Sequence, residues 1–206
     1  MVMNQISPWR WNGTEILSLD DLVASFDLKR VNTTAARFDL EKLRWVNGEW
    51  MKRLSDARLR EAFESWLSVV ESPLARLADV QKAELLSLYR ARAATFLDLE
   101  TASAFFLRRP ATYDAKALKK WLGPEGREAL ASVRTALVAV AWNVTAIGEA
   151  LAGAATQHGG ALGAVAQPLR VALTGAAVSP EIERTVAFFD RAEVLARIDV
   201  AMALPL

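Results

Sequence analysis

His158 is the only histidine in the sequence, and there is no cysteine. Without a thiol, a Gly-x-Ser-x-Gly elbow or a second imidazole, nucleophilic catalysis has no constellation to use, and a thiolate metal site is excluded. No Gly-x-x-x-x-Gly-Lys loop is present to cradle a nucleotide's phosphates. Carboxylate pairs occur at Asp20-Asp21 and Glu61/Glu64, each with a capping or ion-pair role close by. His158 stands before Gly159-Gly160 at a predicted helix C-terminus, where partial positive charge suits the helix dipole. What remains is recognition by basic groups. Between Lys29 and Arg60 lie nine basic residues, Lys29, Arg30, Arg37, Lys42, Arg44, Lys52, Arg53, Arg58 and Arg60, against four acidic ones. From Glu61 to Glu100 the sign reverses, with seven acidic residues against four basic. A local basic face attracts phosphates even when the whole chain carries only +1. Arg44 and Lys52 fall off the apolar stripe of their predicted helix, open to solvent or to RNA.

The elements that must hold these side chains read as helical almost throughout, an all-α chain. At 206 residues, 52% hydrophobic and 24% charged, it is long enough to bury a real core and ordinary for a globular protein. No alternating strand of useful length appears. Ser18 with Asp21 forms a capping-box signature ahead of Leu19, Leu22 and Phe26. Asp39 is placed to cap a helix in which Leu40, Leu43 and Val46 or Asn47 repeat at helical spacing. Helices follow at about 58–71, 80–94, 98–108 and 114–121, broken by Ser72-Pro73, Pro110 and Gly123-Pro124. Further ones are expected at 125–141, from an Asn143 cap to His158, at 163–174, from Ser179-Pro180-Glu181, and at 193–202. Trp45, Trp50 and Trp66 fall at helical spacing that favours core packing over stacking on RNA. The 14 uncharged residues between Arg134 and Glu149 fall short of the roughly 20 that a membrane-spanning helix needs. The next uncharged run, 150–169, is interrupted by Gln157, His158, Gln167 and Pro168. Met1-Val2-Met3-Asn4 lacks the regions of a signal peptide. No membrane association is expected, and a cytoplasmic location is.

Two separated blocks carry a resemblance. One is Gln167-Pro168-Leu169-Arg170-Val171-Ala172-Leu173-Thr174-Gly175, followed by Val178-Ser179-Pro180. The other is Phe38-Asp39-Leu40-Glu41-Lys42-Leu43-Arg44-Trp45-Val46-Asn47-Gly48, preceded by Phe26-Asp27-Leu28-Lys29-Arg30-Val31. Together they resemble the C-terminal anticodon-binding region of bacterial-type glutamyl-tRNA synthetases, from about Leu17 to Ala203. The resemblance implies three parts: the end of a tRNA stem-contact domain over 1–54, a first helical anticodon-binding domain over 55–109 and a second over 110–206. It implies tRNA(Glu) as partner, with no role for DNA. Neither a His-Ile-Gly-His type motif nor a Lys-Met-Ser-Lys-Ser type loop is found. The chain is therefore expected to be the tRNA-reading half of a ligase, with no catalytic residue or cofactor of its own. ATP, Mg²⁺ and glutamate would belong to a catalytic domain elsewhere.

The resemblance also implies roles for single residues. Tyr89-Arg90-Ala91-Arg92-Ala93-Ala94-Thr95-Phe96 looks like the family stretch whose arginine reads the third anticodon base, and spacing puts that arginine at Arg92, with Arg90 the weaker candidate. A guanidinium fork donates to O2 and N3 of cytosine but meets donors on the Watson–Crick edge of guanine. One such pair discriminates by about 1–3 kcal/mol, or roughly tenfold to a hundredfold between tRNA(Glu) and tRNA(Gln). Arg170 would approach the first two bases, with Ser179, Pro180 and Ile182 at the same site. Gln167 and Thr174 are expected to tie down the loop. Ala161 stands where many members carry lysine, Glu181 where they carry glycine, and residues 111–126 match poorly. Those departures keep an alternative open: a detached paralogue acting as a helical protein-interaction or regulatory module.

Overall fold

The structure is a computed structural model that describes residues 16–27 and 39–205. Leu28, Lys29, Arg30, Val31, Arg37 and Phe38, which belong to the basic run or the matching blocks, lie outside the described residues. Eleven α-helices and one 3-10 turn, Pro73–Arg76, are found among the described residues, with no strand. They are α1 (Leu19–Ser25), α2 (Leu40–Arg53), α3 (Asp56–Leu67), α4 (Asp79–Tyr89), α5 (Phe96–Leu107) and α6 (Ala115–Trp121). Then come α7 (Pro124–Val138), α8 (Val144–Gln157), α9 (Leu162–Thr174), α10 (Ile182–Phe188) and α11 (Arg191–Ala203). The all-α expectation holds.

Helix starts follow local capping chemistry. Ser18 Oγ accepts from the Asp21 amide at 3.1 Å while the Asp21 carboxylate accepts from the Ser18 amide, which closes the expected box. The Ser18 hydroxyl and amide donors also hold the Asp21 carboxyl below its ordinary value. Asp39 takes the Lys42 amide hydrogen at 3.0 Å, and Asn143 takes that of Ala146 at 2.9 Å. Two expected boundaries move. α4 stops at Tyr89 instead of continuing to 94, because the Arg92 and Ala93 amides both turn back to the Tyr89 carbonyl at 2.9 Å. α10 begins at Ile182, with Glu181 at its N-cap position and no side-chain cap, so Ser179-Pro180-Glu181 precedes the helix instead of opening it.

The chain forms two compact units. The first comprises residues up to Ala75 together with Tyr89–Thr101. Met51, Leu59, Phe63, Leu74 and Leu99 are buried in it. Phe63 stacks on Trp66 at 5.9 Å between centroids and meets the edge of Phe96 at 5.2 Å. Trp66 thus packs as its spacing predicts, but Trp45 is 46% exposed and is not a core residue. Leu19 and Val23 on α1, and Phe26 just past its end, are also exposed.

The second unit comprises Arg76–Leu88 and Ala102–Leu206. α7, α8 and α9 pack against one another, α10 lies on α8, α11 on α7 and α9, and α6 on α9. Leu130, Val133, Leu137, Ile147, Leu151, Leu169, Val171, Leu173, Val194 and Ile198 are wholly buried there. Each contributes about 1.5–3 kcal/mol by leaving water. Two glycines are required by geometry. A Cβ on Gly126 would stand 1.9 Å from the Trp121 carbonyl oxygen, so the α6–α7 corner closes only without a side chain. Gly175 ends α9 at φ +78°, and a Cβ there would meet the Thr112 carbonyl oxygen at 2.7 Å.

Candidate nucleic-acid interface

In the first unit, Arg92 is exposed on the turn that joins α4 to α5, not on an amphipathic helix as its sequence suggested. The turn is pinned at several points. The Arg92 amide donates to Tyr89 O at 2.9 Å, and Thr95 Oγ1 takes the Asp98 amide hydrogen at 3.1 Å as α5 begins. From α2, Asn47 Nδ2 donates to the Ala94 carbonyl at 2.6 Å. Beside it, buried Gly48 brings the α2 backbone so close that an added Cβ would lie 3.3 Å from Ala94 Cα. Burial pushes the Tyr89 phenol above its ordinary range, and the Arg92 guanidinium works in the opposite direction. Arg90, two residues earlier, donates to Asp56 Oδ1 at 2.5 Å. That ion pair gives it a structural partner within the unit.

The other two basic candidates of this unit also meet carboxylates. Arg44 Nη2 lies 2.6 Å from Asp98 Oδ1, with about half of its side chain exposed. Burial works to raise the Asp98 carboxyl, but hydrogen bonds from Arg44 and Thr95 outweigh it and leave it below its ordinary value. Lys52 Nζ lies 2.7 Å from Glu49 Oε1, and that hydrogen bond lowers the Glu49 carboxyl. Both cations stay reachable by phosphate, in competition with their carboxylates.

In the second unit, Arg170 and Ser179 come together across nine residues, Arg170 Nε donating to Ser179 Oγ at 3.1 Å. Ser179 Oγ in turn donates to the Pro180 carbonyl at 2.9 Å, so the hydroxyl is engaged with the loop and not with the amides of α10. Pro180 is buried and Ile182 is 2% exposed. Ile182 is therefore core, anchoring the start of α10, and in this structure offers no apolar surface to a base. Thr174 behaves as its loop-tying role requires, donating to the Arg170 carbonyl at 2.9 Å and accepting from the Ala176 amide. Gln167 does so less, because its Oε1 is buried with no hydrogen-bond partner. Exposed Glu181 and the Arg184–Glu84 pair, at 2.8 Å, add further charge to this unit. His158 closes α8, and its Nε2 lies 2.9 Å from Ser132 Oγ, a structural place as expected.

Asn47 and Gly48 are positions whose individual weight the sequence did not disclose. They lay inside a matching block, but nothing local marks a side-chain amide as the partner of a carbonyl 47 residues away. Among the described residues no group of His, Asp or Glu side chains is arranged to hold a metal ion. No helix there is long and apolar enough to cross a membrane.

Comparison with known proteins places the chain in a family. Residues 41–202 match the family described as the anticodon binding domain. Over 195 residues the chain is 40% identical to glutamate–tRNA ligase 1 of Gluconacetobacter diazotrophicus, covering 92% of this chain and 41% of that protein. Glutamate–tRNA ligase 1 of Mesorhizobium japonicum is 39% identical over 199 residues, with 92% and 42% covered. Among solved structures, a glutamate–tRNA ligase from Elizabethkingia meningosepticum superimposes with a TM-score of 0.79 at 27% identity. That match covers 93% of this chain and 38% of the other. The chain thus spans about two fifths of the length of the curated relatives it matches.

Proposed function

Because this chain belongs to the anticodon binding domain family, we propose that it recognises the anticodon loop of tRNA(Glu) as the C-terminal, non-catalytic part of a glutamate–tRNA ligase. In that role it supplies affinity and discrimination, while glutamate, ATP and Mg²⁺ are handled by the catalytic domain of the parent enzyme in the cytoplasm. The three-part division at 54 and 109 belongs to the same proposal.

The observation that carries the reading is Arg92, exposed on a pinned turn inside the span that matches the family. Its fork is suited to the O2 and N3 acceptors of a third-position cytosine, and the guanine edge opposes it with donors. Arg170 is assigned to the first two bases, held by Ser179 through the 3.1 Å bond. Arg44 and Lys52 are assigned to phosphates. Ser179 and Pro180 contribute through the shape of the loop, and Ile182 through the helix start behind it.

Equilibrium binding of tRNA(Glu) and of a transcript whose third anticodon base is changed from cytosine to guanine tests the reading. The wild type should separate them by roughly tenfold to a hundredfold, and Arg92→Ala should bring the ratio close to one. Equal binding of both transcripts by the wild type defeats it. A tRNA affinity that does not change with salt would favour the interaction-module alternative, for which exposed Ala161 and Glu181 speak.

A further inference from the structure

We propose that Asn47 and Gly48 of α2 are positioning residues for Arg92, setting how sharply the third base is read. This rests on the assignment of Arg92 to that base. The turn from Arg90 to Thr95 contains no proline or glycine to stiffen it. Its shape comes from the Arg92 and Ala93 amides on the Tyr89 carbonyl, from Thr95 just ahead of α5, from the Arg90–Asp56 pair at its start, and from a hydrogen bond that α2 makes to its main chain. That contact is the Asn47 amide on the Ala94 carbonyl at 2.6 Å, two residues beyond Arg92. The same Nδ2 lies 3.6 Å from Met51 Sδ on its own helix, which holds the amide toward the turn. Gly48 makes the contact possible. Any side chain there would press on Ala94, at 3.3 Å from its Cα and 3.5 Å from its Cβ.

The physical consequence separates two kinds of binding. Attraction of a guanidinium to phosphate is long-range and tolerates a loose side chain. Base reading is not tolerant, because a fork a fraction of an ångström or some tens of degrees out of place loses its two-bond fit to cytosine and its conflict with guanine. Freeing the Ala94 carbonyl should therefore erode discrimination while leaving the electrostatic part of affinity in place.

The experiment measures binding of tRNA(Glu) and the third-base guanine transcript over a range of salt, well below the melting temperature of each protein. Asn47→Ala should lower the discrimination ratio by about threefold or more with the salt slope unchanged, and Gly48→Ala should act in the same direction. Leu59→Val, a core change of the same unit, controls for stability: it should lower the melting temperature and keep the ratio. If Asn47→Ala and Gly48→Ala both retain the wild-type ratio within about twofold while Arg92→Ala abolishes it, the inference is wrong and the assignment of Arg92 stands. If Leu59→Val lowers the ratio as far as Asn47→Ala, the effect is one of general stability and the inference is equally wrong. If the wild type shows no ratio at all, the assignment of Arg92 fails and takes the inference with it.

Discussion

In the second unit, Arg127, Arg191 and Arg197 aim their guanidinium groups at main-chain carbonyls, whereas in the first unit Arg44, Arg58 and Arg90 meet carboxylates at or near the surface. Arg197 is 2% exposed, donates to Leu173 O at 2.6 Å and Phe105 O at 2.8 Å, and lies over the Phe189 ring at 4.3 Å. Arg127 reaches Met202 O at 2.7 Å and Leu204 O, which are carbonyls left without amide partners where α11 ends. Arg191 does the same for Val138 and Val140 at the end of α7, with Trp142 beneath it at 5.1 Å. In the first unit the pairs are with Asp98, Glu61 and Asp56, and no main-chain carbonyl is among their hydrogen bonds. The same residue type is a strut where its guanidinium meets helix-end carbonyls and a more accessible cation where it meets carboxylates, as Arg109, Arg134 and Arg184 do in the second unit as well. Residue type alone therefore does not separate a strut from an accessible cation, whereas the acceptors do.

The contrast should break first at Arg197. Replacing it with Met removes the donor from one buried and one part-buried carbonyl and leaves Glu193 with Arg109 alone. We expect a loss of about 3 kcal/mol in urea unfolding; a loss under about 1 kcal/mol would mean that Arg197 is not a strut. Gly175→Ala tests the corner beside it. Positive φ and a Cβ only 2.7 Å from the Thr112 carbonyl oxygen should cost about 2 kcal/mol.

Acid provides the next test. Hydrogen bonds from Arg109, then from Arg197, outweigh burial and hold the Glu193 carboxyl down at about 2, against an ordinary value of 4.5. A carboxyl depressed in the folded state stabilises above its unfolded value and loses that contribution as pH falls toward its folded one. Stability of the wild type should therefore decline between 4.5 and about 2, and the decline should be shallower in Glu193→Gln. Asp199, lowered mainly by its hydrogen bond from Arg134, leaves a residual slope of the same sign. An unchanged slope in Glu193→Gln would remove the Arg109–Glu193–Arg197 cluster from the list of struts.

How much of this was legible in the sequence depended on range. Ser18, Asp39 and Asn143 were recognised as caps because a cap is settled by the three residues that follow it. The end of α4 was not, because Ala91, Ala93 and Ala94 favour helix and no glycine or proline interrupts them. What holds the turn includes a side-chain amide from α2 and the Thr95 hydroxyl, which takes an amide hydrogen of α5. Ser179 carried every local sign of a helix start, yet its hydroxyl is drawn to Arg170, so α10 opens later with no side-chain cap. Ile182 matched a family contact position and proved to be core. Trp45 was expected in the core on helical spacing alone and is nearly half exposed, since periodicity places a residue on a face without saying what covers that face. For the candidate site, the sequence supplied Arg92 and Arg170 as candidates, one on an exposed turn and one bonded to Ser179. The residues that hold them, Asn47, Gly48 and Ser179 in its actual role, were visible only through contacts that cross from one segment to another.

At the small end of the scale stand two arginines that should hardly affect folding. Arg58 and Glu61 are about 70% exposed, and Arg58→Ala should change stability by no more than about 0.5 kcal/mol. Arg92→Ala should be as mild, because its side chain is exposed. The two variants should differ only when RNA is added. Arg58→Ala should keep the third-base ratio and lose at most a phosphate's worth of salt dependence, whereas Arg92→Ala should lose the ratio at unchanged melting temperature. A side chain that is nearly silent in folding and decisive in recognition is what distinguishes a reading arginine from a strut. If Arg92→Ala instead unfolds as readily as Arg197→Met, Arg92 is one more strut, and the two units do not differ in the way their acceptors suggest.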